Sequence, residues 1–143
     1  MKFVLDASVT LSWLLRDSGA REEAYPLEVL DALRDPDIAA TVPMTWGLEI
    51  ANVIARSESK ELVSAAQSAS FIALLEGIHI DVDADTFAHV LSDTLQLSRR
   101  YRLSSYDASY LELAMRSGAP IATLDDDLRR AAGKAGVKFF KPT

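Results

Sequence analysis

The sequence predicts a three-layer α/β/α sandwich built around a short, mainly parallel central sheet. Short apolar segments alternate with longer segments in which apolar residues recur every three or four positions, and this alternation is typical of strands connected by helices. The first apolar segment, Lys2 to Leu5, ends at the acidic residue Asp6. A length of 143 residues suits one domain that covers 1–143 and buries its sheet between two helical layers.

Each element follows from its local pattern. The predicted strands are 2–5, 38–42, 78–82, 120–123 and 137–140, the last at an edge of the sheet. The predicted helices run from Ala7 to Arg16, from Pro26 to near Asp35, from Pro43 to a polar break at Ser57–Lys60, from Glu61 to Glu76, from Asp83 or Asp85 to near Arg100, from Ser105 to Arg116 and from Asp125 to Ala135. Pro26 suits a first helical turn, and Gly77 suits a helix end.

Two further expectations concern the connections and the core. The polar stretch Asp17 to Tyr25 contains Gly19 and is predicted as a loop. In the helix that begins at Glu61, the apolar spacing predicts five inward residues, which are Leu62, Ala65, Ala69, Ile72 and Leu75.

Composition excludes several kinds of site. The chain has no cysteine, which excludes disulfides, thiol catalysis and thiolate metal sites. His79 and His89 are the two histidines, so a metal would be a hard cation held by oxygen atoms. No apolar run approaches the ~18 residues that cross a bilayer, and the N-terminal residues carry no charged leader, so we expect a cytoplasmic protein without membrane contact.

The net charge of −6, from 15 basic and 21 acidic residues, argues against binding nucleic acid by bulk electrostatics. Local contact stays possible if several of the acids surround divalent cations, because the cations would neutralise the acids there.

Four acids occupy informative positions. Asp6, Asp107 and Asp125 lie at junctions that lead into helices, and Glu49 lies among apolar residues within a helix, with Asn52 on the same face. The alternative is structural for each of them. Aspartate is favoured at N-caps and in first helical turns, with Ser104 as the cap before Asp107, and Glu49 would then lie on a solvated stripe.

Taken together, the acids indicate a metal site. In a parallel sheet the carboxyl ends of the strands share an edge with the N-termini of the following helices, so Asp6 and Asp125 would meet there, and Asp107 and Glu49 could reach it. Crowded carboxylates need a cation, and Mg²⁺ or Mn²⁺ suits an all-oxygen site. The chemistry that remains for such residues is attack of a metal-activated water on a phosphodiester, with one or two ions.

The residues also carry a family resemblance. The segments Val4-Leu5-Asp6-Ala7-Ser8, Trp46-Gly47-Leu48-Glu49-Ile50-Ala51-Asn52, Ser104-Ser105-Tyr106-Asp107-Ala108 and Ala122-Thr123-Leu124-Asp125-Asp126-Asp127-Leu128 resemble those of PIN-domain ribonucleases, most closely the VapC toxins of type II toxin–antitoxin pairs. The resemblance covers nearly the whole chain and rests on the order and spacing of the four motifs. It implies a PIN-like fold and a Mg²⁺- or Mn²⁺-dependent endoribonuclease that acts on tRNA, rRNA or mRNA.

The resemblance also implies roles for residues. Asp6, Glu49, Asp107 and Asp125 would be the metal-binding catalytic acids, supported by hydroxyl contacts from Ser8 and Thr123. Two further residues are expected at the site: Asp127 could be an accessory ligand through water, and Asn52 could orient a carboxylate from outside the ligand set. Asp126 is expected to face solvent.

Candidate RNA contacts lie near the acidic edge. Arg99, Arg100 and Arg102 offer guanidinium groups beside the ring of Tyr101, which could stack on a base. Three further basic residues line the last helix, namely Arg129, Arg130 and Lys134, and for Arg129 and Arg130 we favour a solvated helix surface.

The expected partners are an RNA substrate, a VapB-type antitoxin and a second copy of the chain in a homodimer. The basic residues could instead meet an acidic antitoxin tail, and the antitoxin could insert an arginine among the carboxylates. Trp13 and Trp46 could lie on an antitoxin surface or in the core.

Three competing functions have their own residue requirements. A phosphotransferase of the haloacid-dehalogenase type needs a second aspartate at the position of Ser8, and a receiver-type phosphoacceptor needs an acidic pair on the first strand and a late lysine. The sequence lacks both patterns. A catalytically silent PIN-like module that binds RNA or protein remains the alternative.

Overall fold

The computed structural model, which describes residues 1–15 and 24–143, has a four-stranded parallel sheet flanked by helices. The strands are β1 (Lys2–Leu5), β2 (Ala39–Val42), β3 (Ile80–Val82) and β4 (Ile121–Ala122), in the order β3-β2-β1-β4. Val4 pairs with Thr41 on one side and Ile121 on the other. The predicted α/β/α sandwich is confirmed.

The helices fill the connections between the strands. Their bounds are α1 (Ala7–Ser12), α2 (Tyr25–Ala32), α3 (Trp46–Ser59), α4 (Ala65–Glu76), α5 (Thr86–His89), α6 (Leu95–Tyr101), α7 (Ser105–Ser117) and α8 (Asp126–Lys134), with a π-helical turn at Val90–Thr94 between α5 and α6. No helix in the described part of the chain is both long and apolar enough to cross a membrane.

The core explains why β1 is central. Phe3, Val4 and Leu5 have no exposed surface, as expected of a parallel strand covered on both faces. The helix α7 packs against β1 and β4 and is buried from Ala108 through Ala114. The acids at the end of β1 and the start of α7 therefore lie on elements that are packed into the core.

Both tryptophans belong to the packed interior. Trp46 is buried, and its indole Nε1 lies 3.4 Å from Thr10 Oγ1. Trp13 is half-buried and donates a 2.7 Å hydrogen bond from Nε1 to the carbonyl of Pro26. These contacts support the core alternative for the two residues.

Several predicted bounds are wrong in the first half of the chain. The predicted polar break does not begin at Ser57, because α3 continues through Ser59. Ser57 is buried, so this turn of α3 packs against the core. α3 itself begins at Trp46, after a turn that contains Pro43. Arg16 and most of the predicted loop Asp17–Tyr25 lie outside the described residues, and Tyr25 begins α2.

The predicted inward face of α4 is also wrong. α4 begins at Ala65, where Ser64 and Gln67 form a reciprocal capping box. The buried residues are Ser68 and Phe71, because the bulky Phe71 ring faces the core and turns neighbouring positions outward. Of the residues predicted to face inward, Leu75 is half-buried, and the exposed ones are Leu62, Ala65, Ala69 and Ile72. The predicted helix end at Gly77 is confirmed.

The last predicted strand, 137–140, is reduced to one bridge between Phe139 and Ile121. β4 is only two residues long and offers too short an edge for a full strand. The segment is held by side chains instead, since the Phe140 ring stacks on Phe3 with centroids 3.9 Å apart.

Candidate metal centre

Asp6 lies where β1 ends, between β4 and the start of α1. Its backbone N–H donates to the carbonyl of Ala122 at 3.0 Å, so β4 fixes its position. The side chain is almost fully buried, and Oδ2 accepts hydrogen bonds from Ser8 Oγ at 2.6 Å and Thr123 Oγ1 at 2.7 Å. The carboxylate therefore cannot rotate without losing two hydrogen bonds.

The side chain of Asp6 does not cap α1, although the residue occupies the N-cap position. The structural alternative of a side-chain cap is therefore wrong for Asp6, because its carboxylate is turned to the two hydroxyls. Ser8 Oγ also accepts the N–H of Leu124 at 3.0 Å, and Thr123 Oγ1 accepts that of Asp125 at 3.0 Å. One hydroxyl network thus joins the chain segments that follow β1 and β4.

Glu49 lies in the first turn of α3, not in the middle of a helix, because α3 begins only at Trp46. Its carboxylate has the partner that a half-buried acid needs: the hydroxyl of Tyr110 donates to Oε1 at 2.7 Å. Burial raises the pKa of Glu49, the Tyr110 hydrogen bond opposes this, and the charge of Asp6 adds to the increase. The solvated-stripe alternative therefore does not describe this residue.

Tyr110 is the site residue that sequence reasoning missed. It is fully buried in α7, and burial raises the pKa of its phenol far above the usual value, with the Glu49 charge adding to the effect, so it stays a hydrogen-bond donor. Its position three residues after Asp107 puts the two side chains on one face of α7, and this spacing was the available signal.

Asp107 and Asp125 combine capping geometry with proximity to the other acids. The N–H of Asp107 donates to the Ser104 hydroxyl at 3.1 Å, and Oδ1 of Asp125 accepts from the N–H of Leu128 at 2.9 Å. The caps predicted at Ser104 and Asp125 therefore form. Burial raises the pKa of Asp107 to about 6, and the charges of Asp6, Asp125 and Glu49 add to the increase, in that order.

These mutual effects place the four acids near one another, although no three of them bring ligand oxygens within 4.8 Å of one another. Burial also raises the pKa of Asp6, and the charge of Asp125 contributes to this increase against the two hydroxyl hydrogen bonds. No ion pair between described residues involves Asp6, Glu49, Asp107 or Asp125. Four neighbouring carboxylates that form no ion pair within residues 1–15 and 24–143 make a site whose charge a cation would balance.

The donor atoms suit a hard cation. The cluster offers carboxylate oxygens and nearby hydroxyl oxygens, with neither sulfur nor imidazole among them, and this set matches Mg²⁺ or Mn²⁺.

A second group, His89, Asp93 and Glu112, brings three possible ligand atoms within 4.8 Å of one another, which no other set of three or more acids or histidines does among the described residues. Both Glu112 oxygens, however, already accept hydrogen bonds from Arg116, at 2.7 and 3.0 Å. The guanidinium therefore opposes a dication there.

The remaining predicted site residues lie outside the acid cluster. Asp127 is exposed, and its Oδ1 pairs with Arg130 at 3.0 Å. Asn52 is exposed, as is Asp126. Of the predicted RNA contacts, Arg99 and Arg100 are exposed near the end of α6, and Arg102 follows it with a left-handed φ of 56°.

Comparisons with known proteins match this architecture. The curated protein Ribonuclease VapC3 of Pyrobaculum aerophilum is 24% identical over 128 residues, which cover 90% of this chain and 92% of that protein. The crystal structure of PAE2754 from Pyrobaculum aerophilum superposes with a TM-score of 0.65 at 20% identity, over 92% of this chain and 79% of that one. The crystal structure of FitAcB from Neisseria gonorrhoeae superposes with a TM-score of 0.57 at 18% identity, over 99% of this chain and 98% of that one. The model of the PIN domain family matches residues 3–134, and the chain therefore belongs to the PIN domain family.

Proposed function

We propose that the chain is a Mg²⁺- or Mn²⁺-dependent endoribonuclease that hydrolyses RNA phosphodiester bonds. The observation that carries the proposal is the placement of four carboxylates after strands or in first helical turns, with no ion pair to a described residue: Asp6, Glu49, Asp107 and Asp125. Membership of the PIN domain family and the similarity to a protein named Ribonuclease VapC3 support the same activity.

Asp6, Glu49, Asp107 and Asp125 would hold one or two ions. When bound, a divalent cation lowers the pKa of a water molecule and stabilises charge on phosphate oxygens. The exposed, Arg130-paired Asp127 is a weaker candidate for a ligand, and Asn52 keeps only a supporting role in the proposal.

The chain's own residues would supply orientation. Ser8 and Thr123 hold the carboxylate of Asp6 through the same oxygen, and Tyr110 holds that of Glu49. Because Ser8 belongs to α1, Tyr110 to α7 and Thr123 is buried just after β4, these two carboxylates are fixed before substrate arrives. Such prior orientation lowers the reorganisation needed when charge develops in the transition state.

The test is cleavage of a mixed RNA pool by the purified protein with Mg²⁺ or Mn²⁺. Asp6→Asn and Asp107→Asn should lower the rate at least about 100-fold, because each removes a charged ligand. Asp126→Asn removes an exposed acid next to Asp125 and is the matched control, which should retain the rate.

Two results would overturn the metal-nuclease proposal: cleavage that persists in EDTA, or cleavage that survives both ligand substitutions. A wild-type protein that binds the RNA pool and never cuts it would favour the alternative, a catalytically silent PIN-like module that binds RNA or protein.

We propose further that the activity is that of a toxin in a VapBC-type pair, with a VapB-type antitoxin as partner and a homodimer as the free form. The similarity to Ribonuclease VapC3 over most of both chains supports this proposal. Induced expression should arrest growth, and Asp6→Asn should relieve the arrest. Light scattering after size exclusion would test the homodimer, since a monomeric mass would contradict it.

A further inference from the structure

A groove of about 390 Å³ between the end of α6 and the helix α8 collects positive charge. Arg100 and Arg102 line it from the end of α6 and the turn that follows, and Arg130 and Lys134 line it from α8. The carboxylate in the lining, Asp127, is paired with Arg130 at 3.0 Å. On a chain with a net charge of −6, this is a local concentration of cations.

Both walls of the groove are close in sequence to members of the acid cluster. Its α8 wall carries Asp127, Arg130 and Lys134, spaced three and four residues apart, and this stripe extends about 10 Å along the helix. The stripe starts two residues after Asp125. The opposite wall ends at Arg102, from which the chain passes directly into α7 and Asp107. A strand that leaves the carboxylates along α8 would therefore enter this groove.

Not every basic side chain of α8 lines the groove. The guanidinium of Arg129 lies 3.9 Å from the centroid of the Phe139 ring and is not part of the lining. Tyr101 lines the groove, with the Arg100 guanidinium 5.5 Å from its ring centroid, and such planar groups can stack on bases. Arg102 holds a left-handed φ of 56°, where glycine is the favoured residue.

We propose that this groove binds the phosphodiester backbone of the RNA strand on one side of the bond that is cut. The inference rests on the proposed function and adds the path of the substrate. Arg102 from one wall and Arg130 from the other can each bind a phosphate through two parallel hydrogen bonds. A lysine cannot form this pair of bonds, so an arginine-lined groove suits phosphates better. A length of about 10 Å suits two or three consecutive phosphates. The tyrosine ring favours a nucleic acid over an acidic peptide.

Binding is measured separately from cleavage. A fluorescein-labelled single-stranded RNA is titrated with the Asp107→Asn protein, and anisotropy is followed over a range of salt concentrations. The double variant Arg102→Gln/Arg130→Gln should bind about tenfold more weakly, and the salt dependence of log Kd should fall by about 1.4, because about 0.7 is lost with each phosphate contact.

Two controls accompany the double variant in the same Asp107→Asn protein. Arg34→Gln makes the same type of substitution, with the loss of one positive charge, at an exposed position before the amino end of β2, and should leave binding unchanged. Arg102→Lys/Arg130→Lys keeps the charges but loses the paired hydrogen bonds, so it should keep the salt dependence and bind with an affinity between those of the parent and the double glutamine variant. Thermal melts followed by circular dichroism establish that all variants are folded.

The proposal is overturned if the double glutamine variant binds RNA as Arg34→Gln does. It is also overturned if polyglutamate displaces the RNA at comparable concentration and loses its own affinity in the double variant, because the groove would then be a protein-docking site. If the wild-type protein did not cleave RNA, but RNA binding still depended on the groove arginines, the proposed function alone would be refuted.

Discussion

Tyr110→Phe removes a single oxygen atom at the candidate metal centre. The hydroxyl is the donor of the 2.7 Å bond to Glu49 Oε1, and the ring that carries it is fully buried, so phenylalanine fills the same space without a cavity. A hydrogen bond to an ionised group contributes about 1.5–3 kcal/mol, and one to a neutral group about 0.5–1.5 kcal/mol. We expect the variant to lose about 2 kcal/mol of unfolding free energy at pH 7.

The pH dependence of this loss identifies its cause. The pKa of Glu49 is raised by burial, so Glu49 is protonated in acid solution at a higher pH than an ordinary glutamate. Below that pKa the Tyr110 bond goes to a neutral acid, and the difference between wild type and variant should shrink to about 1 kcal/mol. Urea unfolding of wild type and variant in EDTA, at pH 7 and at an acidic pH below the pKa of Glu49, measures the difference in unfolding free energy under both conditions.

Tyr106→Phe is the matched control, because Tyr106 lies one turn earlier in α7 and is exposed. It should change the unfolding free energy by less than about 0.5 kcal/mol at both pH values. If Tyr110→Phe matched this control at pH 7, or if its loss were the same at both pH values, the assigned role of the Tyr110 hydroxyl would be refuted.

Three further outcomes follow from the charges. In EDTA the protein should lose stability as the pH rises from about 4 to 7, because the raised pKa of Asp107 lets the folded state bind a proton that the unfolded state has released, and Asp107→Asn should flatten this slope in urea titrations. About 10 mM Mg²⁺ or Mn²⁺ should raise the melting temperature by several degrees, an increase that Asp6→Asn should lose and His89→Ala should keep; the opposite pattern would place the ion at His89. Arg116→Gln should lower the unfolding free energy by about 3 kcal/mol in urea, because it leaves the buried Glu112 without its cation, and a loss below about 1 kcal/mol would contradict that role.

The predictions from sequence were accurate where local pattern and topology agree. The apolar run before Asp6 can only be a buried strand, and the alternation of strands and helices leads to a parallel sheet whose carboxyl edge gathers Asp6 and Asp125. Ser104 was found as a cap because its chemistry is local, acting on the backbone three residues ahead.

The errors came from tertiary packing. Ser57 resembles the start of a polar break, but it is buried in α3, and nothing in its neighbours along the chain reveals this. Which face of α4 is buried depends on where the Phe71 side chain packs, and the position of the other elements determines that packing. Tyr110 was missed for the same reason: its partner Glu49 is 61 residues away, and one helix does not show which acid its tyrosine meets.

The hydrogen bond from Thr123 to Asp6 joins residues 117 positions apart. During synthesis Asp6 is made before Thr123, and its carboxylate has only one of its two hydroxyl partners, Ser8, until Thr123 has been added and β4 has paired with β1. A ribosome adding about 5–20 residues per second needs several seconds to cover that interval. An incomplete chain that stops before Thr123 thus lacks both Asp125 and the Thr123 hydrogen bond to Asp6, and the complete cluster exists only after that segment has been made.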